Sequence, residues 1–228
     1  MAFLICYNFI MKNRDYKEFA VGEIYHIYNR GNNKEKIFLD NQDYRAFIFR
    51  LGLSLGFNFK ELSENPLMYF PRSRIRINSK PNLFKLHSFC LMPNHFHLLI
   101  EQITDIPISS LILKLCTSYS MYFNKKYKRV GNVFQDCFKS VLIKSNPQLM
   151  WNSAYIHMNP VEAKLVDDPK DYEWSSYKDF LDKRDLIFIS KDLIPTIFTN
   201  KEKFIKETCK NTQESDLSRV PLDIEFDE

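Results

Sequence analysis

Glycine is scarce in this chain: 5 residues of 228, beside 20 phenylalanines and 12 tyrosines. So little glycine excludes a collagen-like or glycine-linker polymer, and so many aromatic residues exclude a disordered one. Cysteine is sparse as well. Cys6, Cys90, Cys116, Cys137 and Cys209 are odd in number, scattered, and never spaced C-x-x-C. That argues against a disulfide framework and a thiolate zinc site, and it fits a reducing cytoplasm. No apolar run approaches the roughly 20 residues of a membrane span. The apolar start Ala2-Phe3-Leu4-Ile5-Cys6 has neither the basic residues nor the small-residue cleavage site of a signal peptide. No membrane partner is therefore expected. A Walker-type phosphate loop and an H-E-x-x-H zinc motif are both missing. What is present is an ordinary globular composition, 45% hydrophobic and 26% charged, in a chain long enough to bury a core as one large domain with appendages.

The net charge is +4, but it is unevenly spread. The last residues carry Glu214, Asp216, Asp223, Glu225, Asp227 and Glu228 against a single Arg219. Positive charge gathers at Arg72, Arg74, Arg76 and Lys80, and again at Lys125, Lys126, Lys128, Arg129, Lys139 and Lys144. The second group is interleaved with Tyr122, Phe123, Tyr127, Phe134 and Phe138. Cations among aromatics suit a phosphate backbone with stacked single-stranded bases. They equally suit a solvated basic face on a lysine-rich protein.

The hydrophobic pattern predicts a strand over Gly22–Asn29 and a helix from Asp40 or Asn41 to about Leu55. The stretch 59–82, with Pro66, Pro71 and Pro81, reads as an irregular basic insertion with a short strand at Arg74–Ile77. Strands over Lys85–Met92 and His95–Glu101, parted only by Pro93-Asn94, read as antiparallel neighbours. A helix follows from Pro107 to about Lys126, then a strand over Cys137–Ile143. Asn146-Pro147 opens a further helix, expected to stop near Asn159 because Pro160 disfavours helical geometry in the residue before it. Residues 169–182 and 190–210 read as helical, and the acidic tail as loose. The order β-α-β-β-α-β-α predicts an α+β sandwich: a central antiparallel sheet with helices on one face, plus C-terminal helices. The expected division is a domain at 1–183 and a helical extension with an acidic tail at 184–228.

Two short patterns carry chemistry. In His95-Phe96-His97 on a strand, both imidazoles project to one face while Phe96 points to the other. Paired imidazoles hold a divalent metal, or they are half-buried histidines bonded to backbone. In Tyr155-Ile156-His157-Met158-Asn159 on a helix, Tyr155 and Asn159 share a face, with Trp151 one turn earlier. Tyr155 offers a nucleophilic phenol or a core aromatic ring. Asn159 offers a third metal ligand or a helix-end cap. Tyr119, Tyr122 and Tyr127 compete as nucleophiles, but none has Asn or Gln four residues on, and the first two lie on the apolar face of their helix.

The segment Leu91-Met92-Pro93-Asn94-His95-Phe96-His97-Leu98-Leu99-Ile100 resembles the His-hydrophobic-His (HUH) signature of the single-tyrosine transposases. Tyr25-His26-Ile27-Tyr28-Asn29-Arg30-Gly31-Asn32, Val133 to Ser140, Tyr155 to Ala163, and Tyr172-Glu173-Trp174-Ser175-Ser176-Tyr177 resemble, in order and spacing, the branch called REP-associated tyrosine transposases. The likeness runs over roughly residues 20–180. It implies a ferredoxin-like or RRM-like sandwich, a Mg²⁺ or Mn²⁺ ion held by His95, His97 and Asn159, and Tyr155 as the nucleophile. It implies a metal-dependent endonuclease and strand transferase that nicks single-stranded DNA near hairpins through a 5′-phosphotyrosine, as a monomer or a homodimer. Asn rather than Gln as third ligand favours the REP-associated branch. The length of 59–82 and of the segment after about residue 184 departs from the family's pattern and bears on substrate choice. Arg30, Lys139, Arg129, Lys125 and Lys126 are the candidate DNA contacts; Lys128 reads as a solvated cation. The competing readings are a rolling-circle initiator or relaxase, which more often carries a third histidine or second tyrosine, and a domesticated hairpin-binding protein that no longer cuts. A metallohydrolase lacks an obvious carboxylate base here.

Overall fold

Two residues, Pro93 and Asn94, separate β2 (Phe84–Met92) from β3 (His95–Gln102), and so short a break joins only antiparallel strands. β3 also pairs antiparallel with β1 (Ile24–Arg30), and β1 with β4 (Lys139–Leu142), giving a four-stranded sheet in the order β2-β3-β1-β4. The computed structural model describes residues 18–65, 75, 77 and 79–192. Its helices are α1 (Asn41–Ser54), α2 (Phe59–Ser63), α3 (Ile108–Tyr127), α4 (Asn146–Glu162) and α5 (Tyr177–Phe180), with 3₁₀ turns at Asn32–Lys34 and Pro169–Asp171. The α+β sandwich around a central antiparallel sheet read from the sequence is the fold observed, with α1 and α3 packed on one face and α4 laid across the other.

β3 alternates between two environments. Phe96, Leu98 and Ile100 are fully buried and face the layer formed by α1 and α3. Phe96 meets Phe47 of α1 at 5.1 Å between ring centroids and Phe134 at 5.9 Å. Tyr119 of α3 packs edge-on against Phe47 and tilted against Phe38, and donates its hydroxyl to the Ile37 carbonyl. It is a core residue, as its place on the apolar face of α3 implied. His95 and His97 face the other side, and α4 lies across that side.

Asp43 locks α1 to α3. Asp40 caps α1 by accepting from the Gln42 and Asp43 amides, and the Asp43 carboxylate returns a bond to the Asp40 amide. Asp43 is fully buried. Its carboxylate also accepts from the Leu39 amide at 2.8 Å, Tyr122 Oη at 2.9 Å, Tyr127 Oη at 2.7 Å and Lys126 Nζ at 2.7 Å. Two of the competing tyrosines are thus engaged in holding helices together. The outer edge of β2 is closed by the chain after α4: Leu91 N donates to the Trp174 carbonyl, Ser176 N to Phe89 and Ser190 N to Leu86.

Three expectations change. A five-residue helix, α2, stands inside the stretch read as irregular; Asn58 and Glu61 form a capping box there. α4 runs through Pro160 to Glu162, because a proline in the last turn removes only one backbone bond and the preference of the preceding residue yields to packing. Residues 169–182 form a 3₁₀ turn and the single-turn α5 rather than one helix. Past residue 183, Leu186, Phe188 and Ile189 are buried in the common core, and Arg184 binds the buried Asp179 at 2.6 Å. Nearly all of the helix expected at 190–210, the acidic tail, and two of the four residues of the Arg74–Ile77 strand lie outside the described residues; Ile75 and Ile77, which are not in a strand, pack on the core.

Removing a carboxylate that satisfies five donors in the interior leaves them unmet. Asp43→Ala is expected to cost about 3–5 kcal/mol in urea unfolding, against about 1 kcal/mol for Asp40→Ala, which loses chiefly a cap. Equal losses would contradict the role given to Asp43.

Candidate active site

Residues directly opposed on antiparallel strands point to the same face. The pairing therefore lines up rows on the α4 side of the sheet. One row is Met92, His95 and Arg30; the next is Cys90, His97, Tyr28 and Lys139; the third brings Leu99, His26 and Val141 together. His95 and His97 have their rings 5.0 Å apart, nearly perpendicular. From above, α4 presents Tyr155 to this surface, 5.7 Å from the His97 ring and 6.1 Å from the His26 ring, edge-on to both. Trp151, one turn back on α4, stacks on the Tyr155 ring at 5.0 Å with an interplanar angle of 7°. That flat contact holds the phenol in one orientation. Asn159, one turn forward, reaches both His95 and Tyr155 with its side chain.

The donor atoms are specific. The Asn94 amide nitrogen donates to the Lys34 carbonyl at 3.1 Å, which leaves its oxygen for His95 Nδ1 at 2.6 Å. His95 Nδ1 must then carry the proton, and Nε2 is bare. The Asn159 amide nitrogen donates to the Tyr155 carbonyl at 2.9 Å, so Oδ1 is the atom left for the site. His97 Nε2 is buried and has no hydrogen-bond partner among the described residues. A buried bare nitrogen without a partner is costly, and a cation would satisfy it. Two imidazole nitrogens and an amide oxygen therefore fit a divalent metal. Among the described residues no group of three His, Cys, Asp or Glu is placed to hold a metal ion by itself, so the candidate set includes the neutral amide oxygen.

Electrostatics agree with that use. Burial lowers the His95 pKa to about 4, helped by the charge of Arg30 across the strands and opposed by Asn159. Burial likewise drives His97 well below its ordinary value, with His95 and His26 adding to the effect. Both rings are neutral near pH 7 and keep a lone pair to donate. Tyr155 moves the other way: burial, and then the negative charge of Glu162, push its phenol well above 10. A cation beside the hydroxyl would oppose both causes.

The profile of the family described as "Transposase IS200 like" matches residues 23–159, which includes every residue of this constellation. The chain belongs to the IS200-like transposase family. A solved structure of a REP-associated tyrosine transposase bound to a REP hairpin superposes with a TM-score of 0.51 at 14% identity, covering 78% of this chain and 97% of that one. At that identity the likeness speaks to the fold, and it is the fold derived above. No curated protein matches the chain.

For an IS200-like transposase the basic residues divide into two sets. Arg30 and Lys139 stand on the histidine face, Arg30 opposite His95 and Lys139 exposed on the edge strand beside Tyr28. Lys125, Lys126 and Arg129 belong to the end of α3, in the opposite layer. Lys126 is bound to Asp40 and Asp43, both at 2.7 Å; burial pulls its pKa down, but the hydrogen bonds to these carboxylates more than reverse that. Arg129 pairs with Glu35 at 2.9 Å and lies over the Phe123 ring. Lys125 is exposed. His26, Tyr28 and Asn152 are site residues to which the sequence reading gave no role. The signal was there in β1, where His26 and Tyr28 alternate onto one face, but nothing in the sequence says which strand stands beside β3.

If position decides function, Lys139→Ala weakens single-stranded DNA binding and reduces the slope of log affinity against log salt by about 0.7. Lys126→Ala instead lowers the urea midpoint and leaves that slope unchanged. The reverse pattern in a salt titration would put the DNA on the α3 side.

Proposed function

We propose that this protein is a metal-dependent single-stranded DNA nuclease and strand transferase that nicks beside hairpins through a 5′-phosphotyrosine on Tyr155. The observation that carries the reading is the convergence of Tyr155, held by Trp151, on two paired histidines, one of which, His97, has a buried bare Nε2 with no hydrogen-bond partner among the described residues. A divalent cation, Mg²⁺ or Mn²⁺, held by His95, His97 and Asn159 supplies Lewis-acid polarisation of the scissile phosphate and stabilises the charge developing on it.

The chain's own residues do the rest. Arg30 and Lys139 bring the phosphate to the histidine face. Tyr155 Oη attacks phosphorus in line with the departing 3′-oxygen. The new bond is P–Oη and the broken one is P–O3′; the phenol proton goes to solvent and the 3′-oxygen is protonated. Attack of a DNA 3′-hydroxyl on the phosphotyrosine runs the step backwards and joins strands. Phosphodiester energy is conserved in the covalent bond, so no nucleoside triphosphate is needed. The half-buried Tyr28, its ring 5.8 Å from His97, offers a flat surface on which a neighbouring base can stack.

Tyr155 reaches the histidines of its own chain, which supports a site that works in one protomer and makes a dimer unnecessary for cleavage. Hairpin DNA is proposed as the partner on the family membership together with the hairpin bound in the structural neighbour. No helix of the described residues is long and apolar enough to cross a membrane, and Cys90, Cys116 and Cys137 are free thiols, in keeping with action on cytoplasmic DNA.

The test is a denaturing protein gel after incubation with end-labelled hairpin oligonucleotides and Mn²⁺ or Mg²⁺. A covalent adduct is expected that disappears with chelator and in Tyr155→Phe, and that His95→Ala and Asn159→Ala reduce by at least a hundredfold. Tight, metal-independent binding with no adduct on any hairpin would favour a binding protein that does not cut.

A further inference from the structure

His26 is fully buried on β1, 71 residues from His97 in sequence, yet its Nε2 lies 2.9 Å from His97 Nδ1. Two neutral imidazoles at this distance share one proton, and the pair alone does not say which ring carries it. The next residue does. Asn152, on α4 one turn before Ile156, donates its amide nitrogen to the Gln148 carbonyl at 2.9 Å. A main-chain carbonyl only accepts, so the Asn152 amide has one orientation and its Oδ1 is left on the other side. There it lies beside His26. Asn152 Oδ1 and His26 Nδ1 are both buried, and neither has a hydrogen-bond partner among the described residues, so each is the group left to satisfy the other. An oxygen accepts, so His26 carries its proton on Nδ1. Its Nε2 is then the acceptor, His97 Nδ1 is the donor, and His97 Nε2 is bare.

We propose that His26 and Asn152 are positioning residues that hold His97 in its Nδ1–H tautomer and thereby aim a bare Nε2 at the metal position. The relay starts from a helix carbonyl of α4, passes to the sheet through His26, and ends at the site. It is the counterpart of Asn94, which does the same for His95 from the Lys34 carbonyl. Partners of this kind typically set metal affinity by about 10–100-fold. The role belongs to β1 and α4 together, so docking of α4 delivers Tyr155 and prepares a ligand in one event. The inference rests on the metal-site reading given above.

Two readouts separate it from that reading. The first needs no metal. In long-range ¹H–¹⁵N spectra of the metal-free wild type near pH 7.5, His97 should show a protonated Nδ1 and a bare Nε2; the opposite tautomer would overturn the relay. The second is Mn²⁺ affinity by calorimetry. His26→Phe keeps an aromatic ring but offers no acceptor, and it should weaken binding about 10–100-fold, with a mixed His97 tautomer. His26→Gln offers an oxygen to His97 Nδ1 and should recover most of the loss, which a purely structural role for His26 would not produce. Wild-type affinity in His26→Phe would overturn the relay while leaving the metal site standing. A wild type that binds no Mn²⁺ at all would bring down the metal-site reading, and the relay's purpose with it.

Discussion

The two-residue alternation of β3 is the constraint on which the rest of the structure depends. Phe96, Leu98 and Ile100 must face α1 and α3, because together with Phe47 and Tyr119 they make the core. Once they do, His95 and His97 have only one place to go. A slip of one residue would exchange the two sets and place imidazoles among phenylalanines. The same pairing that fixes β3 carries Arg30, Tyr28 and Lys139 onto the histidine face through β1 and β4. A packed core therefore specifies the histidine face behind it.

α4 completes that surface. Its helical repeat puts Trp151, Tyr155 and Asn159 on one side, and its docking buries imidazoles that water would otherwise satisfy. The burial is costly for neutral donors left bare, and it is what suppresses their protonation. Three asparagines set which atoms are bare: Asn94, Asn152 and Asn159 each donate the amide nitrogen to a main-chain carbonyl and turn the oxygen toward the site or its supports. Carboxylates in these places would accept only, and could not be oriented by a carbonyl.

Much of this was legible in the sequence, for identifiable reasons. Strand β3 and the break at Pro93-Asn94 follow from alternation and a turn signal, and α1 from Asp40 as a cap; all are local effects. The pair His95 and His97, and the pair Tyr155 and Asn159, were readable because spacings of two and four have fixed meanings on strands and helices. What was not legible depends on contacts between distant segments. His26 beside His97 requires knowing that β1 lies between β3 and β4. The neutralised Lys126 requires knowing that the end of α3 meets the start of α1; its charge in the sequence is indistinguishable from that of Lys139. The continuation of α4 past Pro160 is a case where a local preference of modest size yields to packing. The core role of residues 184–192 was hidden because Leu186, Phe188 and Ile189 are too few to show a period.

His95, His97 and Asn159 are proposed to form one metal site facing Tyr155. The most direct measurement is anomalous diffraction from crystals of the full chain soaked in MnCl₂. The account predicts a single strong peak bonded to His95 Nε2, His97 Nε2 and Asn159 Oδ1, with the Tyr155 hydroxyl turned toward it. A strong peak held by other residues, or no peak at these three atoms under saturating Mn²⁺, would contradict it.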